Sequence, residues 1–98
     1  MNKELLKIIN HYGIKPQLKY FQSEVFELNE AIIQREYPAF RKNEDLELLE
    51  KKHIVEEIAD VMVMLEQFRI YYGINTGEVG EIMNYKIKRQ IERIENEK

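Results

Sequence analysis

The chain has 98 residues, of which 34% are charged and 44% hydrophobic, and its formal net charge is -3. This length predicts one small domain, residues 1–98, that buries only about two-thirds of its unfolded surface. The absence of cysteine excludes disulfides, thiolate metal sites and a cysteine nucleophile. The acidic balance argues against binding to a nucleic-acid polymer, and no apolar run approaches the roughly 18 residues that a membrane span requires. Because a signal peptide is also absent, we expect a cytoplasmic protein.

Two amphipathic helices are predicted in the first half of the chain. Glycine and proline are scarce, which favours an all-α fold over a β fold with many tight turns. The first helix spans Lys3 to Tyr12, and Gly13 is placed to cap its end. The second begins near Pro16 and ends near Glu36, because Pro38 follows. Their apolar stripes, with three- and four-residue spacing, are Leu5, Leu6, Ile8 and Ile9, and then Leu18, Phe21, Val25, Leu28 and Ile32.

The second half of the chain predicts two further helices. The third runs from Asp45 to Tyr72, with a break expected near Lys52, and Gly73 is placed to cap its end. Thr76 is expected to cap the fourth, which runs from Gly77 to about Glu97. The apolar stripe of this last helix is Val79, Ile82, Met83, Ile87, Ile91 and Ile94. Together the segments predict an all-α chain folded as a compact four-helix bundle.

Two pairs of acids stand apart from the ordinary surface charges. Glu24 and Glu27 lie one turn apart on the second helix, with Glu24 at the edge of the apolar stripe. The ordinary interpretation of Glu24 and Glu27 is that they are two surface acids beside that stripe. Glu57 and Asp60 lie one turn apart on the third helix, where Glu57 falls inside an apolar face made by Ile54, Val61, Met64, Leu65 and Phe68. A buried carboxylate needs a partner cation, a raised pKa or a metal ion.

A single metal site explains both pairs at once. If the two helices pack face to face, their carboxylates offer hard oxygen ligands of the kind that suit Mg²⁺ or Mn²⁺. Without a cation, like charges this close would repel. A di-iron site is disfavoured because it needs two Glu-x-x-His motifs, and Glu50–His53 supplies one while His11 has Ile8 three positions before it. Phosphate-binding glycine loops and nucleophile-elbow motifs are absent from the sequence.

These motifs resemble those of the MazG-like nucleoside triphosphate pyrophosphohydrolases, which belong to the all-α NTP pyrophosphatase superfamily. Glu24–Glu27 followed by Glu57–Asp60 is similar to the family's Glu-x-x-Glu and Glu-x-x-Asp pattern. Asn84–Arg89 resembles its Asn-x-Lys-x-x-Arg element, and the likeness covers about residues 17–93. Ser23 stands where many relatives have a further Glu, and the spacing between the two acid pairs is towards the long end for the family.

The resemblance implies hydrolysis of a nucleoside triphosphate to the monophosphate and pyrophosphate. It implies that Mg²⁺ is held by Glu24, Glu27, Glu57 and Asp60. One of these acids, or the nearby Glu30, would act as the base on the attacking water, and the sequence leaves this choice open. The implied phosphate ligands are Lys86 and Arg89, and Asn84 would contact sugar or phosphate.

The sequence offers several candidate residues for base recognition and more than one assembly. Candidates for contact with the base are Gln17, Tyr20, Phe21 and Tyr85. The family implies a homodimer or a dimer of dimers, and the apolar character of residues 54–72 nearly all round the helix agrees with burial by a second copy. The main alternative function is a non-catalytic helical interaction module, or an antitoxin-type module. A member of the family that binds nucleotide without hydrolysing it is a third.

Overall fold

The computed structural model describes residues 2–40 and 51–97, and within them the chain forms four α-helices and no strand. The helices are α1 (Asn2–Tyr12), α2 (Ile14–Glu36), α3 (Lys51–Tyr71) and α4 (Thr76–Asn96), and a 3-10 turn at Pro38–Phe40 follows α2. The prediction of an all-α chain with four helices is confirmed. The expected start of the third helix at Asp45 lies outside the described residues, and α3 is continuous from Lys51 onwards.

The junction between α1 and α2 is a single glycine. Gly13 adopts a φ of 90°, a conformation that side-chain-bearing residues rarely take, and its amide donates to the Ile9 carbonyl at 2.8 Å. The second helix begins at Ile14, so that Pro16 lies in its first turn as predicted. This short connection forces α1 to fold back beside α2.

The cap of α4 differs from the one predicted. Thr76 is already helical, and the side chain of Asn75 accepts the hydrogen bond from the Glu78 amide at 2.8 Å. Asn75 is the better cap because its extended backbone directs the amide oxygen at the free amides of the first turn. The predicted cap at the end of α3 is confirmed, since Gly73 has a φ of 66°.

An arginine holds the corner between α3 and α4. The guanidinium of Arg69 donates to the Glu66 carboxylate from Nε and Nη2, at 2.7 Å in the shortest bond, and from Nη1 to the Ile74 carbonyl at 2.8 Å. These bonds lower the pKa of the Glu66 carboxyl below its ordinary value. The turn after α3 is therefore tied to the last turns of that helix.

Helices α1, α2 and α3 pack together. Gln17 near the start of α2 bonds Gln67 near the end of α3, so these two helices run antiparallel, and α1 packs against both. Phe21 and Phe68 meet edge to face with ring centroids 5.3 Å apart. The buried apolar side chains in the described residues are few, namely Leu5, Ile9, Ala31 and Met64.

The buried face of α2 is not its predicted stripe. Its buried residues are Gln17, Glu24 and Ala31, at intervals of seven. Within the predicted stripe, Phe21 and Leu28 are half-buried, whereas Leu18, Val25 and Ile32 are exposed. Each of these exposed residues directly follows a buried one, and adjacent residues point about 100° apart. The helix therefore turns its polar heptad positions towards α3 and leaves much of the apolar stripe outside.

Helix α4 projects from the other three. Among the described residues, no Cα of α4 lies within 8 Å of a Cα in α1, α2 or α3. The radius of gyration is 17.0 Å, against about 13 Å for a compact chain of this length. All six residues of the apolar stripe predicted for α4 are exposed, namely Val79, Ile82, Met83, Ile87, Ile91 and Ile94. In the part of the chain that the structure describes, no helix has the length and apolar character needed to cross a bilayer.

Candidate metal centre

Three of the four predicted acids come together where α2 crosses α3. Glu24 comes from α2, and Glu57 and Asp60 come from α3, and one carboxylate oxygen of each lies within 4.8 Å of the others. Glu24 is only 5% exposed, the Glu57 side chain 12%, and Asp60 opens to solvent. The cluster therefore has a buried floor and an open side.

The two buried carboxylates lack hydrogen bonds that their burial demands. Oε2 of Glu24 and Oε2 of Glu57 are inaccessible to solvent and have no hydrogen-bond partner. The Tyr20 side chain interacts with the Glu24 carboxylate and acts to lower its pKa, and Nε2 of His53 lies 3.8 Å from Oε1 of Glu57. A buried polar atom without a partner costs roughly 1–3 kcal/mol, and more when charged, so these two carboxylates would be stabilised by a proton or by a bound cation.

Electrostatics at the cluster favour protons or a cation. Burial raises the pKa of Glu24, against the hydrogen bond from Tyr20, and the nearby charges of Glu27 and Asp60 raise it further. Burial also raises the pKa of Glu57, with the Glu27 charge adding to the effect and His53 opposing it. A bound cation would relieve both the burial and the repulsion.

The donor set fits a hard divalent ion. All three ligands are carboxylate oxygens, which Mg²⁺ and Mn²⁺ prefer. One oxygen from each carboxylate lies within 4.8 Å of the others, so the three side chains would be able to hold one ion together. The open side at Asp60 leaves room for water and for ligand oxygens. Glu24, Glu57 and Asp60 are therefore the residues that would hold the ion.

Glu27 lies beside this group and not within it. It is exposed, and with Glu57 and His53 it lines a groove of about 290 Å³. It is nevertheless close enough for its charge to raise the pKa of both buried glutamates. Its place next to the ion site leaves its carboxylate available for another task.

The predicted phosphate ligands are not brought to the cluster within one chain. Asn84, Lys86 and Arg89 are exposed on α4, away from α1, α2 and α3. The guanidinium of Arg89 lies over the Tyr85 ring, 5.7 Å from its centroid. Their role stays a prediction, and it requires α4 of another copy to approach the cluster.

The predicted base contacts separate into two groups. Gln17 and Tyr20 line a pocket of about 550 Å³ that also includes Asp60. Phe21 instead packs against Phe68, and Tyr85 lies on α4. Sequence reasoning missed Gln67, which lines the same pocket and is only 2% exposed. The available signal was its position seven residues after Asp60, which places both on one helix face.

No protein-family model, curated protein or solved structure matches this chain. Membership of the MazG-like family therefore stays a prediction that rests on the acid motifs and their spacing.

Proposed function

We propose that this protein is a Mg²⁺-dependent hydrolase that converts nucleoside triphosphates to the monophosphate and pyrophosphate. The observation that carries the proposal is the pair of buried, unpartnered carboxylate oxygens of Glu24 and Glu57 beside Asp60. The order of the motifs, which resembles the MazG-like pattern, supplies the reaction class. A structural role alone gives no reason for orphaned carboxylates beside an open, acidic groove.

The chemistry assigns separate tasks to the acids. Glu24, Glu57 and Asp60 would hold Mg²⁺, which when bound neutralises phosphate charge and lowers the pKa of water. Glu27 would orient the attacking water and accept its proton, because it adjoins the cluster without belonging to it. The water oxygen bonds to the α-phosphorus, the bond from that phosphorus to the α,β-bridging oxygen breaks, and pyrophosphate leaves.

A homodimer completes this proposal. The outward face of α3 carries a second apolar stripe with three- and four-residue spacing, made by Val55, Ile58, Met62 and Leu65, all of them exposed. The apolar stripe of α4 is also uncovered. A second copy can cover both surfaces symmetrically, and its α4 would carry Lys86 and Arg89 towards the phosphates. Such cationic side chains suit phosphate oxygens, with Arg binding bidentately.

Product analysis tests the reaction. The purified protein is incubated with Mg²⁺ and each nucleoside triphosphate, and pyrophosphate and monophosphate are measured separately. We expect Glu57→Gln to lower turnover by about 100-fold or more, as is typical when a group that stabilises transition-state charge is removed. Glu56→Gln is the matched control, because its exposed neighbouring carboxylate lies on another part of the helix. Release of orthophosphate alone, or full activity in Glu57→Gln, would disprove the proposal.

A non-catalytic interaction module is the second candidate function, and the uncovered face of α4 favours it. It predicts that Glu57→Leu is neutral or stabilising and that Mg²⁺ does not alter the melting temperature. The hydrolase instead predicts that Mg²⁺ raises the melting temperature of the wild type and that Glu57→Leu abolishes turnover. Melting curves with and without Mg²⁺ separate the two.

A further inference from the structure

A pocket beside the acid cluster forms a groove lined by residues of α1, α2 and α3. It has a volume of about 550 Å³, and its wall includes Tyr12 and Pro16 together with Gln17, Tyr20, Asp60 and Gln67. Asp60 belongs to both the pocket and the acid cluster. A ligand that fills this pocket therefore reaches the acid cluster at Asp60.

The spacing of residues along α2 and α3 shows which side chains lie at the other end of the pocket. Gln17 precedes Glu24 by seven residues on α2, and Gln67 follows Asp60 by seven residues on the antiparallel α3. Seven residues of α-helix rise about 10 Å, so the two glutamines form a layer about 10 Å from the acids. Tyr20 lies between the two layers. This separation is comparable to the distance between the reacting phosphate and the base of a nucleotide.

The two glutamines keep hydrogen-bonding capacity that the protein uses poorly. Nε2 of Gln17 donates to Oε1 of Gln67 at 2.8 Å, while Nε2 of Gln67 reaches only the sulfur of Met64, at 3.7 Å. A thioether is a weak acceptor. Both side chains are buried, and two primary amides together carry four N–H groups and two acceptor oxygens. A ligand with a carbonyl or a ring nitrogen offers Gln67 a much better acceptor.

We propose that Gln17 and Gln67 form a specificity-determining subsite that hydrogen-bonds the polar edge of the substrate's nucleobase. The inference rests on the proposed function, because the acid cluster must hold the phosphates at the other end of the pocket. Gln67 directs N–H donors at the base, and Gln17 holds the Gln67 amide in place through the bond to Oε1. The amide pair discriminates between bases because a mismatched edge leaves buried amide groups without partners.

Binding without turnover tests the subsite. The probes are α,β-methylene analogues of the nucleoside triphosphates, whose bridge resists hydrolysis, and inorganic triphosphate, which has no base, each with Mg²⁺ in a calorimeter. The double variant Gln17→Met/Gln67→Met removes both amides, so that neither is left unpaired and volume is nearly conserved. We expect it to bind the preferred nucleotide analogue about tenfold more weakly and to bind inorganic triphosphate as the wild type does. Gln22→Met, on the exposed side of α2, is the matched control.

A second variant gives the subsite an independent readout. Gln67→Glu is nearly the same size, but an ionised carboxylate only accepts hydrogen bonds. We expect the affinity ratio between analogues to shift towards bases with an amino edge, cytosine and adenine, and away from uracil. The inference is wrong if wild-type protein binds inorganic triphosphate as tightly as the nucleotide analogues, or if both variants leave the affinity ratios unchanged. The proposed function fails on a different result, the absence of pyrophosphate release from every natural triphosphate.

Discussion

The two faces of α3 reverse the usual arrangement of a globular protein. The face that packs inward buries Gln67 and Met64 and largely covers Glu57. The outward face carries Val55, Ile58, Met62 and Leu65, whose exposed fractions lie between 42% and 62%. Buried side chains are usually apolar, and polar side chains are usually exposed. The difference supports two separate proposals, that the inner face binds a ligand and that a second copy covers the outer face.

The inner face is itself divided into two polar layers. The amides of Gln17 and Gln67 hydrogen-bond each other, so this layer is tolerable without a ligand. The carboxylates of Glu24 and Glu57 each keep one buried oxygen without a partner. The acid layer is therefore less stable than the amide layer when no ligand is bound. The contrast supports the proposals that a cation binds at the acid layer and that neutral hydrogen-bonding groups of the substrate bind at the amide layer.

The largest effect is expected at the outer face. Met62→Lys places a charge in the centre of the apolar stripe, and burying that charge against a second copy is too costly to sustain association. We expect the mass in solution, measured by light scattering, to fall to that of one chain. Asn10→Lys, an exposed substitution on α1 with the same change in charge, is the control. A wild-type protein that is already monomeric at high concentration would contradict the dimer.

The next effect is at the acid layer. Mg²⁺ at 100 times its dissociation constant stabilises a folded protein by about 2.7 kcal/mol, which raises the melting temperature by several degrees in a domain of this size. We expect this rise in the wild type, with sodium chloride at matched ionic strength as the control. Glu24→Gln should lose it. An equal rise in wild type and Glu24→Gln would mean that the ion binds elsewhere.

The smallest effect is the pH dependence of metal-free protein. Because the pKa values of Glu24 and Glu57 are raised on folding, the folded state binds more protons than the unfolded state above the ordinary value of 4.5. These groups therefore stabilise the fold less as pH rises through that window, up to the raised folded values. Denaturant titrations should show this negative slope relative to the double variant Glu24→Gln/Glu57→Gln. The same slope in both proteins would contradict the raised pKa values.

Much of the fold follows from local sequence patterns. Helical spacing and the positions of Gly13, Pro16 and Gly73 predict where three helix ends lie, because these residues act on neighbouring backbone alone. Periodicity did not predict which face of α2 meets α3. An apolar stripe indicates that a helix buries one side, but it does not say whether the cover comes from the same chain or another.

The candidate site was predictable only in part. The sequence predicts that Glu57 lies inside an apolar face, and the structure leaves only 12% of its side chain exposed. Glu24 was placed at the edge of a stripe and is the more deeply buried of the two, because α2 is rotated away from that stripe. The sequence does not single out Gln67, because a glutamine in a helix is usually exposed, and the structure buries it to 2% exposure. The burial of both Glu24 and Gln67 is determined by how α2 and α3 pack together.

The Arg69 corner restrains the start of α4 before any second copy binds. Since the guanidinium joins Glu66 to the Ile74 carbonyl, the turn that leads into α4 is tied to the end of α3 within the single chain. Immobilising a flexible side chain at an interface costs about 0.5–1.5 kcal/mol, and ordering a loose arm costs more. Because the turn before α4 is already held, α4 would lose little conformational entropy when it binds a second copy. The proposed dimer would then form as a rigid-body encounter, and its affinity would be determined mainly by how slowly the two copies separate.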